Sequence, residues 1–184
     1  MVVTERRLLE KASSFEERAM EKVFAMSGTW ALVHMTKLGD IGFEGVIESI
    51  FSDGITEGPI TAAAFVDGYR GNDYRPNEIV WIVDSAYCYA NSKEFAKQYR
   101  WEFIGTIPPK YISGVILPAP SSAVSGGYSE ILSDAELAKK NQAILHCLLS
   151  NMEKSDNPMP VYLTDGSLLW PQELNFEQVQ SITG

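Results

Sequence analysis

The stretch from Tyr99 to Leu117 reads YRWEFIGTIPPKYISGVIL, and its reading decides the fold. Trp101 to Ile107 is a strand by its aromatic and β-branched content. Pro108-Pro109 closes it, because proline has no N–H to give to a ladder. Tyr111 to Leu117 then forms a further strand. Two strands flanking a proline turn place the centre of this chain in a sheet.

Upstream, Glu78 to Asp84 (EIVWIVD) is a strongly β-branched run and predicts a central strand. Asn91 with Glu94 three residues on predicts the start of a short helix through Tyr99. Tyr69 to Asn77 holds Gly71, Asn72, Asp73 and Pro76, a loop by its turn chemistry. Ile60 to Val66 fits either a strand or a helix, since its alanines favour one and its flanks the other. Phe43 to Phe51 carries Val46, Ile47 and Ile50 at helical spacing and ends at Ser52-Asp53-Gly54. Trp30 to Met35 is a buried strand. From Thr4 to Met26, Leu8, Ala12, Phe15, Ala19 and Val23 recur at three- and four-residue steps, an amphipathic helix that stops near Gly28.

Downstream, Pro118 to Gly127 (PAPSSAVSGG) is a Pro/Ser/Gly-rich loop. Ser133 with Glu136 forms a capping box, so a helix is predicted from Asp134 to about Asn151. Val161 to Leu163, then Thr164-Asp165-Gly166, then Leu168 to Trp170 reads as a hairpin. The expected organisation is one domain over residues 1–184: an N-terminal helix (1–28), a core (29–117), a loop (118–132) and a C-terminal helix and hairpin (133–184). The class is α+β.

The chain has 184 residues, 45% apolar, enough for one ordinary core. A net charge of −9 argues against nucleic acid as a partner, because that affinity comes from Lys and Arg displacing counterions. No stretch approaches the ~20 apolar residues of a membrane span, and the N-terminus opens Thr4-Glu5-Arg6-Arg7, without an apolar signal core. The expectation is a protein of the cytoplasm, or one secreted into a host cell as an effector without a cleaved signal. Cys88 and Cys147 are the only cysteines, which predicts a reduced compartment and no metal site, with free thiols the first reading and a single bridge between the two the alternative.

The run YRWEFIGTIPPKYISGVIL resembles the ADP-ribosyltransferase superfamily, in particular the catalytic A subunits of pertussis- and cholera-type bacterial toxins. There a catalytic Glu begins a strand that ends in Ile-Pro and is followed by an Ile. Glu102, Ile107, Pro108, Pro109 and Ile112 fit that pattern. The preceding EIVWIVDSAYCYANSKEFAKQY is similar to the family's strand and aromatic-rich segment, and ALVHMTK followed by GVIESIFSDGI is similar to its first strand, helix and glycine turn. His34 stands where the toxins carry Arg; the diphtheria-toxin-like and poly-ADP-ribose branches use His there. The matches span roughly Trp30 to Leu117.

The resemblance implies an α+β fold of two small packed sheets with NAD in the cleft between them and helices at both chain ends. It implies mono-ADP-ribosyl transfer from NAD to an acceptor, a protein in the first instance, by a bacterial effector or toxin. Glu102 would be catalytic, and His34, Thr36, Thr61, Tyr87, Tyr89 and Tyr99 would bind NAD, one tyrosine stacking on nicotinamide. Two departures qualify the acceptor side. The toxins place Glu or Gln two residues before the catalytic Glu, where this chain has Arg100, and their Ser-Thr-Ser has only Ile60-Thr61-Ala62 as counterpart. An NAD glycohydrolase, or a non-catalytic interaction or immunity-type module, would fit the same residues.

Each of these residues also has a plainer reading. Asp84, Glu78 and Glu94 are carboxylates that compete with Glu102. His34 equally suits a hydrogen-bonded core histidine, His146 suits a structural place in the C-terminal helix, and Tyr87, Tyr89, Trp81 and Trp101 suit the core. Cys88 has no basic activator and is not expected to be a nucleophile.

Overall fold

The run Glu78–Val83 is buried at every position, as a strand covered on both faces must be, and the rest of the sheet is built outward from it. In the computed structural model, residues 15–23, 30–38, 42–56, 59–64, 78–91, 100–102, 106–119 and 133–171 are described. In chain order the elements are α1 (15–23), β1 (Trp30–Lys37), α2 (Phe43–Asp53), β2 (Pro59–Ala64), β3 (Glu78–Val83) and α3 (Ser85–Asn91). There follow β4 (Arg100–Glu102), a 3-10 turn (Pro109–Tyr111), β5 (Ile112–Leu117), α4 (Asp134–Ser155), β6 (Val161–Leu163) and β7 (Leu168–Trp170).

Among the described residues the strands form one mixed seven-stranded sheet in the order β4-β2-β1-β3-β5-β6-β7. The α+β class is therefore as expected. The two small packed sheets are not: strands from both ends of the chain join a single sheet. Among the described residues the one parallel pair is β5 with β6, and α4 makes the crossover that a parallel connection requires.

Cross-strand rows assign each residue to a face. The row His34, Ile60 and Trp81 is continuous across β1, β2 and β3. On that face Leu32, Ile60, Ile79, Trp81, Val83, Val115 and Leu117 meet Ile47, Ile50 and Phe51 of α2 and Ile144, Leu148 and Met152 of α4. Phe51 meets Trp81 edge-on with ring centroids 6.1 Å apart. The opposite face carries Val33, Val80, Ile82, Ile116 and Tyr162, against which Val23 of α1 and Leu168 pack.

The helices end as their sequences dictate. Ser133 Oγ accepts from the Glu136 N–H and the Glu136 carboxylate accepts from the Ser133 N–H, so the predicted capping box is present. The helix it opens runs to Ser155, one turn beyond the expected Asn151. Gly54 ends α2 at φ 78, and a Cβ there would collide with the Ile107 carbonyl oxygen. That close approach allows Ile55 and Ile107 to exchange backbone hydrogen bonds of 3.0 and 2.9 Å.

Two local expectations change. Of the segment from Ile60 to Val66, the described part to Ala64 is strand, in β2, because β1 and β4 pair with it on either side. The strand expected from Trp101 to Ile107 has its ladder at β4 and a separate bridge at Ile107. The helix expected from Asn91 through Tyr99 falls on residues 92–99, which lie outside the described ones; α3 precedes it and ends at Asn91. Asp84 Oδ1 accepts from the Tyr87 N–H at 2.7 Å and starts α3 directly after β3.

Candidate functional site

The proposed site residues come from three strands that the sheet makes neighbours. β4 carries Glu102, β2 carries Thr61 and β1 carries His34 and Thr36, and the order β4-β2-β1 sets them side by side at one edge. Strand spacing puts β4 roughly 10 Å from β1 with β2 between. The register places Pro59 opposite Glu102, Ile60 opposite both Trp101 and His34, and Thr61 opposite both Arg100 and Val33. Glu102 and His34 therefore occupy adjacent rows at the same end of the sheet. Adjacent rows alternate in the pleat, so the register does not put the two on one row. Glu102 is the last paired residue of the three-residue edge strand.

His34 is 7% exposed and has the same facing as Leu32 and Trp81, the side that α2 and α4 cover. Thr36, two residues on, shares that facing and stands opposite Ile79. Its hydroxyl oxygen is buried without a hydrogen-bond partner, as is the indole N–H of Trp81. A buried polar group left unpaired costs about 1–3 kcal/mol, so these atoms mark where a polar partner would be rewarded.

The tyrosines separate. Tyr87 on α3 stacks on Tyr111 of the 3-10 turn with centroids 3.9 Å apart and planes 21° from parallel. Its hydroxyl donates to the Thr106 carbonyl at 3.2 Å, and Lys110 Nζ lies 5.0 Å from the centre of the Tyr111 ring. Tyr87 thus clamps α3 to the proline turn and has one ring face already occupied. Tyr89 is 56% exposed on α3, and Tyr99 lies outside the described residues. Tyr111 was not singled out from sequence, although it directly follows the Ile-Pro-Pro-Lys run.

Of the competing carboxylates, Asp84 is exposed and spends one oxygen capping α3, while Glu78 is buried at 7% exposure at the start of β3. Cys88 is buried in α3, and burial together with the Asp84 charge pushes its thiol up to about 11. It is protonated at neutral pH and unsuited to nucleophilic attack. Both cysteines are free, and His146 is on the exposed side of α4. Among the described residues no group of three His, Cys, Asp or Glu is placed to hold a metal ion, and no helix is long and apolar enough to cross a membrane.

Comparison with known protein families, with curated proteins and with solved structures finds no match to this chain.

Proposed function

We propose that the protein is a mono-ADP-ribosyltransferase of the bacterial effector or toxin type, with NAD as co-substrate, a protein as acceptor and Glu102 as the catalytic carboxylate. The observation that carries this reading is the sheet order: the segments that resemble the family's glutamate strand and first strand, β4 and β1, flank β2, which holds the positional counterpart of its Ser-Thr-Ser strand. Their functional positions also fall at one end of the sheet. The unpartnered Thr36 hydroxyl beside His34 gives a second, local reason, since a ribose offers the hydroxyl groups that would satisfy it.

In this reading the bond between nicotinamide and ribose breaks, nicotinamide leaves with the bonding electrons, and the anomeric carbon gains positive charge. A carboxylate near the ribose stabilises charge that exists mainly in the transition state. The acceptor's nucleophile then bonds to that carbon and loses its proton. His34 and Thr36 hold the ribose by hydrogen bonds. Glu102, in the neighbouring row at the end of β4, would supply that carboxylate.

Arg100, where the toxins carry an acceptor-orienting Glu or Gln, supports water as an alternative acceptor, which would make the enzyme a glycohydrolase. The alternating rows of Glu102 and His34, with His34 buried, favour a second reading, a non-catalytic interaction module. NAD titration at millimolar concentration separates them: binding that is lost in His34→Ala together with Thr36→Val supports the transferase site, and no binding supports the interaction module. Nicotinamide release without label on any protein identifies the glycohydrolase.

A further inference from the structure

Asn157, in the turn after α4, touches two segments that are far from it in sequence. Its Oδ1 accepts from Lys22 Nζ at 3.0 Å, and its Nδ2 donates to the Pro109 carbonyl at 3.1 Å. Lys22 also donates to the Pro158 carbonyl at 2.6 Å, and Arg18, one turn earlier on α1, pairs with Asp156 at 2.7 Å. The turn is held firmly: Asp156 is left-handed at φ 50 and its N–H donates to the carbonyls of Glu153 and Met152, while the Asn157 N–H donates to Met152 at 3.1 Å. The side-chain amide offers a donor and an acceptor together, which aspartate, lysine and arginine do not, so none of those three makes both contacts.

Pro109 is two residues beyond Ile107, whose backbone is zipped to Ile55 next to Gly54, and Tyr111 donates its N–H to the Pro108 carbonyl. Ile107 in turn follows Glu102 by five residues. We propose that Asn157 is a positioning residue: its side-chain amide couples the N-terminal helix to the proline turn and so fixes the Ile55–Ile107 bridge, which follows Glu102 by five residues. The catalytic half of this statement rests on the reading of Glu102 given above. Burial of Lys22, with Arg18 beside it, brings its ammonium down to about 8, consistent with a group held tightly against the turn.

The test uses Asn157→Asp, which keeps an acceptor for Lys22 and deletes the donor to Pro109. Amide hydrogen exchange is measured at Ile55, Ile107 and Tyr111 and, for reference, at Val33 and Val80 in the central strands. The expected result is about tenfold faster exchange at the first three, the scale of one lost buried hydrogen bond, with the reference amides unchanged. Lys22→Met, which cuts the helix link and keeps the Pro109 bond, is expected to loosen the same amides by a smaller factor. With NAD, Asn157→Asp is expected to lower kcat for nicotinamide release several-fold and leave KM unchanged. Wild-type exchange at Ile107 and Tyr111, or uniform acceleration of all amides, overturns the coupling. Local loosening in a protein whose wild type releases no nicotinamide overturns the catalytic half and leaves the coupling standing.

Discussion

Gly54→Ala is the sharpest stability prediction, because two independent costs fall on one methyl group. Gly54 sits at φ 78 and ψ −161, a region open essentially to glycine, and forcing another residue there costs about 1–3 kcal/mol. The added Cβ would also collide with the Ile107 carbonyl oxygen, which is backbone and cannot swing aside. Relief requires moving Ile107 away from Ile55, at the expense of two backbone hydrogen bonds worth about 1 kcal/mol each. The sum is a loss of about 3–5 kcal/mol, or a fall in Tm of roughly 6–20 °C for a chain of this size. Urea unfolding followed by tryptophan fluorescence measures it. A loss below about 1 kcal/mol would show that Gly54 does not approach Ile107 as described.

Ser133→Ala removes the cap acceptor of α4 and should cost about 1 kcal/mol, read by the same unfolding assay; an unchanged midpoint would contradict the capping box. Glu136 and Asp165 are both held below the usual carboxylate range, Glu136 by hydrogen bonds from Ser133 and Asp165 by hydrogen bonds from Ser167. Their folded values are depressed, so their stabilisation is complete above the unfolded values and fades as pH falls through the folded ones; acid unfolding of Ser133→Ala should be correspondingly less steep. Lys22 behaves oppositely in cost: the unfolded chain binds its proton more tightly, so stability from this group rises as pH climbs from about 8 toward 10.5. Wild type should therefore gain on Lys22→Met between pH 7 and pH 9 in urea midpoint, and a constant difference would refute the buried ammonium.

What was legible in the sequence was local. Ser133 and Glu136 announce α4 because both halves of the box lie within one turn, and EIVWIV announces β3 because β-branched residues crowd every other conformation. The start of α3 was hidden because Asp84 reads equally as the end of a strand or as a cap. β2 was ambiguous because its alanines carry little preference; pairing with β1 and β4 decided it. Strand partners are set by contacts distant in sequence, so strands expected in two sheets could join one. The same holds for Asn157, whose partners are 48 and 135 residues away and leave no mark in its own neighbourhood.

For the candidate site, the sequence located the segments, and the strand order placed β4, β2 and β1 together. It gave no access to register. A one-residue difference in the pairing of so short an edge strand moves a side chain to the other face, and no motif specifies that count. The aromatic partner of Tyr87 was likewise unreadable: Tyr111 meets it only because the proline turn folds back over α3.

The central claim is tested most directly by incubating labelled NAD with a cell lysate and either wild-type protein or Glu102→Gln, following both nicotinamide release and label on protein. The amide keeps the size of the side chain and removes its charge. The account predicts that wild type cleaves NAD and labels an acceptor, and that Glu102→Gln loses about 10²–10³ in kcat, the scale of one removed transition-state electrostatic contact. A Glu102→Gln protein that labels as well as wild type would contradict it.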